Sequence, residues 1–167
     1  MDERRIKTMA LKEELKLKKG FDIIEHEALL NIYFTTAGMK KRADGFFKAL
    51  GLTDVQFNVM MLLHYQSGEQ GGLSQAELSE MMLVNRANIT TLMDRMEKAS
   101  LVARTSDSAD RRTNIVKMTA KGRKLFEKAE PLYAKLVVQI MTGFNHAELR
   151  KLIAVLEKTR DNINKLA

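Results

Sequence analysis

The middle of the chain constrains the fold most strongly, because residues 73–117 combine two closely spaced helix starts with a pair of short strands. Ser74 stands three residues before Glu77, which is the spacing of a capping box, in which each side chain satisfies a backbone amide of the other residue. Leu73 and Leu78 occupy the two positions that pack together around such a start. We therefore predict that a short helix begins directly after Ser74.

A second helix is predicted from residue 86 to about residue 99, with Asn85 as its cap. The apolar side chains on one face recur at the spacing of an amphipathic helix, and they are Ile89, Leu92, Met93 and Met96. The opposite face carries small polar and charged side chains, namely Ala87, Asn88, Thr91, Asp94, Arg95 and Lys98, with Thr90 at its edge. Short side chains permit close approach to a major groove, and asparagine and arginine offer bidentate hydrogen bonds to adenine and guanine. The two helices form a helix-turn-helix candidate.

Two short segments rich in β-branched residues, 101–105 and 114–118, follow the second helix directly. The polar loop between them holds Arg111 and Arg112 at its far end. A two-stranded ribbon after a reading helix is a wing, and arginine suits a minor groove because its long cation follows the negative potential there. Asp110 is placed to hydrogen-bond Arg112 and hold its guanidinium in position.

These motifs occur in the order and at the separations of the MarR family, the multiple-antibiotic-resistance regulators, and the chain resembles the DNA-binding core of that family. The segments that carry the resemblance are 73–79, 84–90, 92–98, Asp110-Arg111-Arg112 and the Met118-Thr119-Ala120-Lys121-Gly122 that matches the family's Leu-Thr-x-x-Gly. The match covers residues 51–127, and the flanking helices agree only in length and pattern. The family often has glycine where Leu83 and Ser100 stand here, which affects the local turns rather than the fold.

The flanking segments predict a helical region for self-association. Three predicted helices carry more apolar surface than one small reader domain can cover. They are a long helix over about residues 22–50, a helix capped by Thr119 that contains Pro131, and a last helix capped by Asn145. The resemblance implies that these helices interlock as a homodimer, which predicts a pseudo-palindromic operator with half-sites about one helical turn apart. Residues 1–19 are either a helix docked on the partner subunit or a basic arm.

The expected fold is therefore mainly α-helical with a small β-wing. Residues 1–167 form a single domain in which residues 1–52 and 119–167 make up the helical dimerisation region. Residues 53–118 make up the winged helix-turn-helix region.

Composition limits the chemistry that the chain can perform. The 167 residues include no cysteine, which excludes disulfides, thiol nucleophiles and cysteine-rich zinc sites. The histidines, His26, His64 and His146, are far apart and lack metal-ligand spacing. No nucleophile–base pair, phosphate loop or paired carboxylates stand out, so we expect no enzymatic activity, no cofactor and no metal site.

Charge and hydropathy limit the partners. The net charge of +7 favours a polyanion such as nucleic acid, although charge alone leaves an ordinary basic protein as an alternative. The longest apolar run, residues 59–63, is far shorter than a membrane span. The N-terminus has charges but no apolar core of a signal peptide. We expect a cytoplasmic protein with no membrane partner.

The expected function is that of a homodimeric transcriptional repressor that binds double-stranded DNA through helix 86–98 in the major groove and wing 106–112 at the minor groove. The candidate DNA-binding residues are Ser74, Gln75, Arg86, Asn88, Thr90, Thr91, Arg95, Asp110, Arg111 and Arg112. Arg86 is either structural or a phosphate ligand. The competing interpretation of Arg95 and Lys98 is a solvated helix face paired with Asp94 or Glu97. The alternative function is a ligand-binding or protein-interaction module that has kept the fold without DNA binding.

The resemblance also implies an effector, because family members often bind a small aromatic or phenolic anion between the dimer helices and the reader and then release DNA. The candidate ligand-binding residues are His26, Tyr33, Arg42 and His64. A cation or imidazole beside aromatic walls suits an aromatic carboxylate. The competing interpretation is that each of the four is an ordinary core or surface residue.

Overall fold

The structure, a computed structural model, describes residues 9–68, 71–82, 86–106 and 114–166. It is mainly α-helical with one small antiparallel sheet, which confirms the predicted fold class. The elements in chain order are α1 (Leu11–Glu14), α2 (Ile24–Ala49), α3 (Asp54–Tyr65), β1 (Leu73–Ser74), α4 (Gln75–Met81), α5 (Arg86–Lys98), β2 (Val102–Ser106), β3 (Asn114–Met118), α6 (Ala120–Ile140) and α7 (His146–Asn164).

The first of the chain's two compact units, Met1–Leu62, is dominated by the long helix α2. The observed bounds, Ile24–Ala49, agree with the predicted helix to within two residues at each end. Phe47 is the buried residue of α2, and its ring packs on Phe57 with centroids 4.8 Å apart. Several other large apolar side chains of α2 are exposed, namely Ile24, Leu29, Tyr33, Phe34 and Met39.

The start of the chain was predicted to be a docked helix or a basic arm. Residues 1–8 lie outside the described residues. The following stretch contains only the single helical turn α1, in which Leu11 is buried.

Reciprocal capping contacts form at helix starts in both units, and they include the predicted cap of the last helix by Asn145. The Thr53 amide donates to Gln56 Oε1 and the Gln56 amide donates to Thr53 Oγ1, at 3.0 and 3.2 Å. Asn145 and Glu148 make the same reciprocal pair at the start of α7. Because each pair satisfies amides that no helical carbonyl can reach, these contacts fix where α3 and α7 begin.

The second unit, Leu63–Ala167, contains the sheet, whose strand order is β1-β3-β2 with antiparallel pairing throughout. Leu73 stands opposite Val116, and Val102 stands opposite Met118. The sequence predicts β2 and β3 but not β1. A strand of two residues shows no alternation of apolar and polar side chains, so its pairing with β3 decides its conformation.

The two reader helices begin where the sequence predicts. Ser74 Oγ accepts a hydrogen bond from the Glu77 amide at 3.2 Å, and the Ser74 amide donates to Glu77 Oε2 at 2.7 Å. On α5, the apolar face is fully buried at Ile89, Met93 and Met96. The predictions for the turn at Leu83 and for the wing tip fall on residues outside those that the structure describes.

Helix α5 ends at Lys98, and two residues later the chain adopts the left-handed conformation. Ser100 has φ +59°, at a position where the resemblance suggested that glycine is usual. The Ser100 amide donates to the Glu97 carbonyl at 2.8 Å, and the Leu101 amide donates to the Met96 carbonyl at 2.9 Å. These bonds satisfy carbonyls of the last turn and direct the chain into β2.

The first turn of α6 packs directly on the chain that leaves α5. Thr119 Oγ1 donates to the Ser100 carbonyl at 2.7 Å, and Lys121 Nζ donates to the Ala99 carbonyl at 2.8 Å. A Cβ on Gly122 would overlap the carbonyl oxygen of Leu101, so only glycine fits this close approach. We refer to this contact between residues 99–101 and 119–122 as the α5–α6 joint.

The C-terminal part of the chain presents extensive apolar surface. None of the described residues of α7 is buried. The large apolar side chains exposed on α6 and α7 are Leu132, Val137, Val138, Ile140, Leu152, Ile153, Val155 and Ile163. Exposed large apolar side chains in this number are typical of helices that pack against another surface.

Among the described residues, no single helix has the length and apolar character needed to cross a membrane. Helices α2 and α3 meet that test only when they are counted together across the bend between them.

Candidate nucleic-acid interface

The face of α5 opposite its buried side consists of exposed polar residues. Asn88, Thr91 and Arg95 are all exposed, as is Thr90 at the edge of this face. Arg95 forms no ion pair with a carboxylate in the described part of the chain. The helix therefore presents a cation and short polar side chains together, on a support whose other side is fixed in the core.

Two of the predicted site residues meet between the reader helices. Thr90 Oγ1 donates to Gln75 Oε1 at 3.2 Å, which links the first residue of α4 to the edge of the reading face. Since this bond uses only the amide oxygen of Gln75, the two amide hydrogens remain available to a phosphate or a base.

Ser74 and Thr91 are used partly within the protein. Ser74 completes the cap of α4, where the Glu77 carboxylate lies against its amide. That carboxylate opposes an approaching phosphate, so Ser74 is less suited to phosphate than its helix-terminal position suggests. Thr91 Oγ1 donates to the Ala87 carbonyl at 3.1 Å. Its hydroxyl thus offers an acceptor outward, which suits an amino group at a base edge.

Sequence reasoning missed the residue that joins the wing to the recognition helix, Arg104 in β2. Its Nη2 lies 2.7 Å from Asp94 Oδ1 and its Nη1 lies 3.2 Å from Glu97 Oε2. Nη2 also donates to the Thr90 carbonyl at 3.3 Å, and the Arg104 amide donates to Glu97 Oε1 at 2.9 Å. One side chain thus connects three residues of α5 to the first strand of the wing.

The electrostatics of this cluster bear on DNA binding. Asp94 is exposed and Glu97 is half-buried, and the Arg104 guanidinium pairs with both carboxylates. Both carboxylates pair with Arg104, and neither pairs with Arg95 or Lys98 among the described residues. Arg95 and Lys98 are exposed, so a solvated helix face stays the competing interpretation for them. The sequence signals this cluster only weakly: two acids lie on the predicted helix 86–99 and an arginine lies on the predicted strand that follows it.

Several predicted residues cannot be placed at atomic detail. Asp110, Arg111 and Arg112 lie outside the described residues, between the ends of β2 and β3. Arg86 is the first residue of α5. Their roles at the minor groove and on phosphate stay predictions.

The four candidate effector residues are distributed over both compact units. His26, Tyr33 and Arg42 are exposed on α2, and the His26 ring makes an edge contact with Phe21 at 6.0 Å between centroids. His64 belongs to the second unit. A shared ligand site for the four stays a prediction. In the described parts of the chain, no group of three or more histidines and carboxylates is placed to hold a metal ion.

Comparison with known proteins agrees with this geometry. The sequence model of the MarR family matches residues 52–113, which include α3 to β2. The chain is 32% identical over 120 residues to the transcriptional activatory protein BadR of Rhodopseudomonas palustris, and this alignment covers 71% of the present chain and 68% of BadR.

Two solved structures show the same fold. AbsC, a MarR family transcriptional regulator from Streptomyces coelicolor, superposes with a TM-score of 0.79 at 18% identity, over 88% of this chain and 99% of AbsC. MepR of S. aureus, solved as a complex with DNA, gives a TM-score of 0.72 at 21% identity, over 80% of this chain and 96% of MepR. These two structures agree with the family match and with the similarity to BadR. This chain belongs to the MarR family of winged-helix, DNA-binding transcriptional regulators.

Proposed function

We propose that the chain acts as a homodimer that binds a pseudo-palindromic operator, with α5 in the major groove and wing 106–112 at the minor groove. The observation that carries this proposal is the exposed polar face of α5, which lies opposite an apolar face that is fully buried at Ile89, Met93 and Met96. The MepR neighbour was solved with DNA, which supports the same partner for this chain.

Each residue of the interface has a proposed role. Asn88, Thr90, Thr91 and Arg95 contact base edges, because their side chains lie on or beside the exposed face of α5. Gln75 is proposed to contact phosphate, with Ser74 beside it as the weaker candidate because the Glu77 carboxylate lies against its amide. Arg86 is proposed for phosphate or a structural role, and Arg111 for phosphate or the minor groove. Arg112 enters the minor groove and is oriented by Asp110.

We test DNA binding by fluorescence anisotropy of a labelled duplex that carries the best site from an in-vitro selection, at several salt concentrations. Arg95→Ala is expected to weaken binding by about 1–3 kcal/mol and Arg112→Ala by a similar amount. The matched control is Arg150→Ala, an exposed arginine of α7 that is expected to leave the affinity unchanged. If selection enriches no site and low salt gives no binding, the chain is instead an interaction module on this fold.

We propose residues 1–52 and 119–167 as the dimerisation region. The support is the apolar surface of α2, α6 and α7, which one chain leaves exposed. Ile153→Glu places a charge on this surface, whereas Asn162→Glu places the same charge on a polar position of the same helix. Analytical ultracentrifugation should show at least about tenfold weaker dimerisation for the first variant, and no change for the second. A monomeric wild-type protein would contradict the proposal.

We propose repression as the consequence of operator binding. The alternative is activation, which is favoured by the name of the 32% identical relative, a transcriptional activatory protein. A reporter gene under the selected operator distinguishes them, because loss of DNA binding in Arg95→Ala raises expression under a repressor and lowers it under an activator.

We propose a small aromatic or phenolic anion as the effector, bound with the help of His26, Tyr33, Arg42 and His64. Benzoate is the probe, and the readouts are thermal stability and release of the duplex. Arg42→Gln should abolish the response, whereas the neighbouring Lys41→Gln should retain it. If no aromatic acid changes either readout, this set of residues holds no effector.

A further inference from the structure

A small open cavity lies at the base of the wing sheet, within the second compact unit. It encloses about 210 Å³ and is lined by Leu63, His64, Ser67, Gly71, Met118 and Arg123. Met118 is the last residue of β3, and Arg123 lies in the first turn of α6. The cavity therefore borders both the central strand of the sheet and the helix that follows the wing.

Two side chains that can donate to an anion face this cavity. Neither the His64 imidazole nor the Arg123 guanidinium forms a hydrogen bond or an ion pair within the described residues. Arg123 therefore brings a permanent positive charge to the cavity that no carboxylate of the described residues neutralises there. The basic side chains of Lys121 and Lys124 stand beside Arg123 in the sequence, with Glu127 one turn later as the nearest acid on α6. The local charge is positive.

The geometry brings the imidazole and the guanidinium to the same side of α6. The His64 ring stacks on Phe126, with centroids 4.7 Å apart and an angle of 35° between the planes. Phe126 follows Arg123 by three residues, a spacing that places both on one face of a helix. The nearby Glu130 accepts a hydrogen bond from Tyr65, which gives that carboxylate a partner other than Arg123.

We propose that this cavity, which we call the His64–Arg123 pocket, binds a small oxyanion, either a carboxylate or a phosphate. The guanidinium supplies the bidentate donor that both groups accept, and the imidazole supplies a further donor. The volume is below the roughly 300–1,000 Å³ of sites for drug-sized ligands, which limits the occupant to a small anion. The pocket shares His64 with the proposed effector residues, so the inference rests in part on that proposal and deepens it by adding Arg123 and a separate cavity. Failure to bind phosphate or acetate would overturn the pocket alone, whereas a missing benzoate response would overturn only the aromatic effector.

Binding of an anion in the His64–Arg123 pocket should stabilise the wing sheet. Gly71 precedes β1 and Met118 ends β3, and both line the pocket. An anion held by Arg123 therefore connects the edge strand and the central strand to α6. Hydrogen exchange of the β1 and β3 amides should slow when the pocket is filled, while exchange in α7 should not change.

The test is a titration of the full-length protein, without DNA, followed by two-dimensional NMR at constant ionic strength. The probes are inorganic phosphate and acetate, with chloride as the reference anion. We expect saturable shifts at the amides of Ser67, Gly71 and Met118 with one or both probes, and the probe that binds more tightly identifies phosphate or carboxylate as the chemistry.

Variants decide whether the pocket is responsible. R123Q and H64Q should each weaken binding by about tenfold or more, as expected for the loss of a charge-assisted donor. K124Q removes an adjacent charge that does not line the pocket, and should retain wild-type binding. R123K keeps the charge and controls for folding, and should bind at intermediate strength. Equal losses in R123Q and K124Q, or shifts that never saturate, would overturn the proposal. A protein that fails to bind DNA but retains the saturable shifts would remove only the proposed function.

Discussion

Arg104→Met removes the guanidinium that connects the wing to α5 and keeps a side chain of similar length. A hydrogen bond to a charged group contributes about 1.5–3 kcal/mol, whereas an exposed ion pair contributes under about 1 kcal/mol. The Arg104 side chain is 21% exposed, but those of Asp94 and Glu97 are 51% and 37% exposed and can be hydrated when the cation is lost. We therefore expect the free energy of unfolding to fall by about 1.5 kcal/mol.

The same substitution should weaken DNA binding, because the carboxylates of Asp94 and Glu97 would then act on nearby phosphates without a neutralising cation. Two unit charges about 8 Å from a phosphate in a water-like dielectric oppose binding by about 1 kcal/mol in total, or about fivefold in affinity. Urea denaturation measures the first quantity and duplex anisotropy measures the second. Lys98→Met is the matched control for stability, since it removes one charge from an exposed residue without an ion pair among the described residues, and it should change unfolding by less than about 0.5 kcal/mol.

A double-mutant cycle isolates the contact itself. Asp94→Asn combined with Arg104→Met should show a coupling free energy of about 1 kcal/mol, because the two side chains touch at 2.7 Å. The reasoning would be refuted by a coupling near zero together with unchanged stability in Arg104→Met. Weaker DNA binding alone would then reflect the lost charge and not the connection between wing and helix.

Four further substitutions test the fold by thermal and urea denaturation. Gly122→Ala should destabilise by about 3 kcal/mol, because its Cβ would overlap the Leu101 carbonyl. Gly38→Ala, where nothing lies within 4 Å of the new atom, should stabilise by about 0.5–1 kcal/mol, and a loss there would contradict the helical geometry of α2. Ser100→Gly should stabilise by about 1 kcal/mol because it relieves a positive φ, and destabilisation would argue against that conformation. Ser74→Ala should cost about 1 kcal/mol through the lost cap of α4, and no change would mean that the cap is not formed in solution.

The elements that the sequence predicts well are those with local signals. Reciprocal caps such as Ser74 with Glu77 mark helix starts within the sequence itself, so α4 begins at the predicted residue. The predicted second strand of the wing matches β3 because its β-branched residues form a short run bounded by polar residues. These signals involve residues close together in the chain, and no tertiary contact overrides them.

The features that sequence reasoning missed depend on contacts between distant elements. Strand β1 forms because Leu73 pairs with Val116. The two residues of this strand contain no pattern that predicts its partner. The sequence shows Arg104 only as a strand residue, and its ion pairs with Asp94 and Glu97 form only in the folded chain. The His64–Arg123 pocket likewise needs α6 folded beside the end of α3. Such arrangements are decided by packing, which a single sequence does not display.

The α5–α6 joint has a consequence for how such a regulator changes over evolutionary time. The joint holds the recognition helix through the backbone carbonyls of Ala99, Ser100 and Leu101. None of the exposed residues that we propose to contact bases takes part in it. Under the proposed function, substitutions at those exposed positions would change the operator that is bound while the α5–α6 joint stays intact. Within one helix, the residues that keep the fold stable are therefore different from the residues that would set the target sequence.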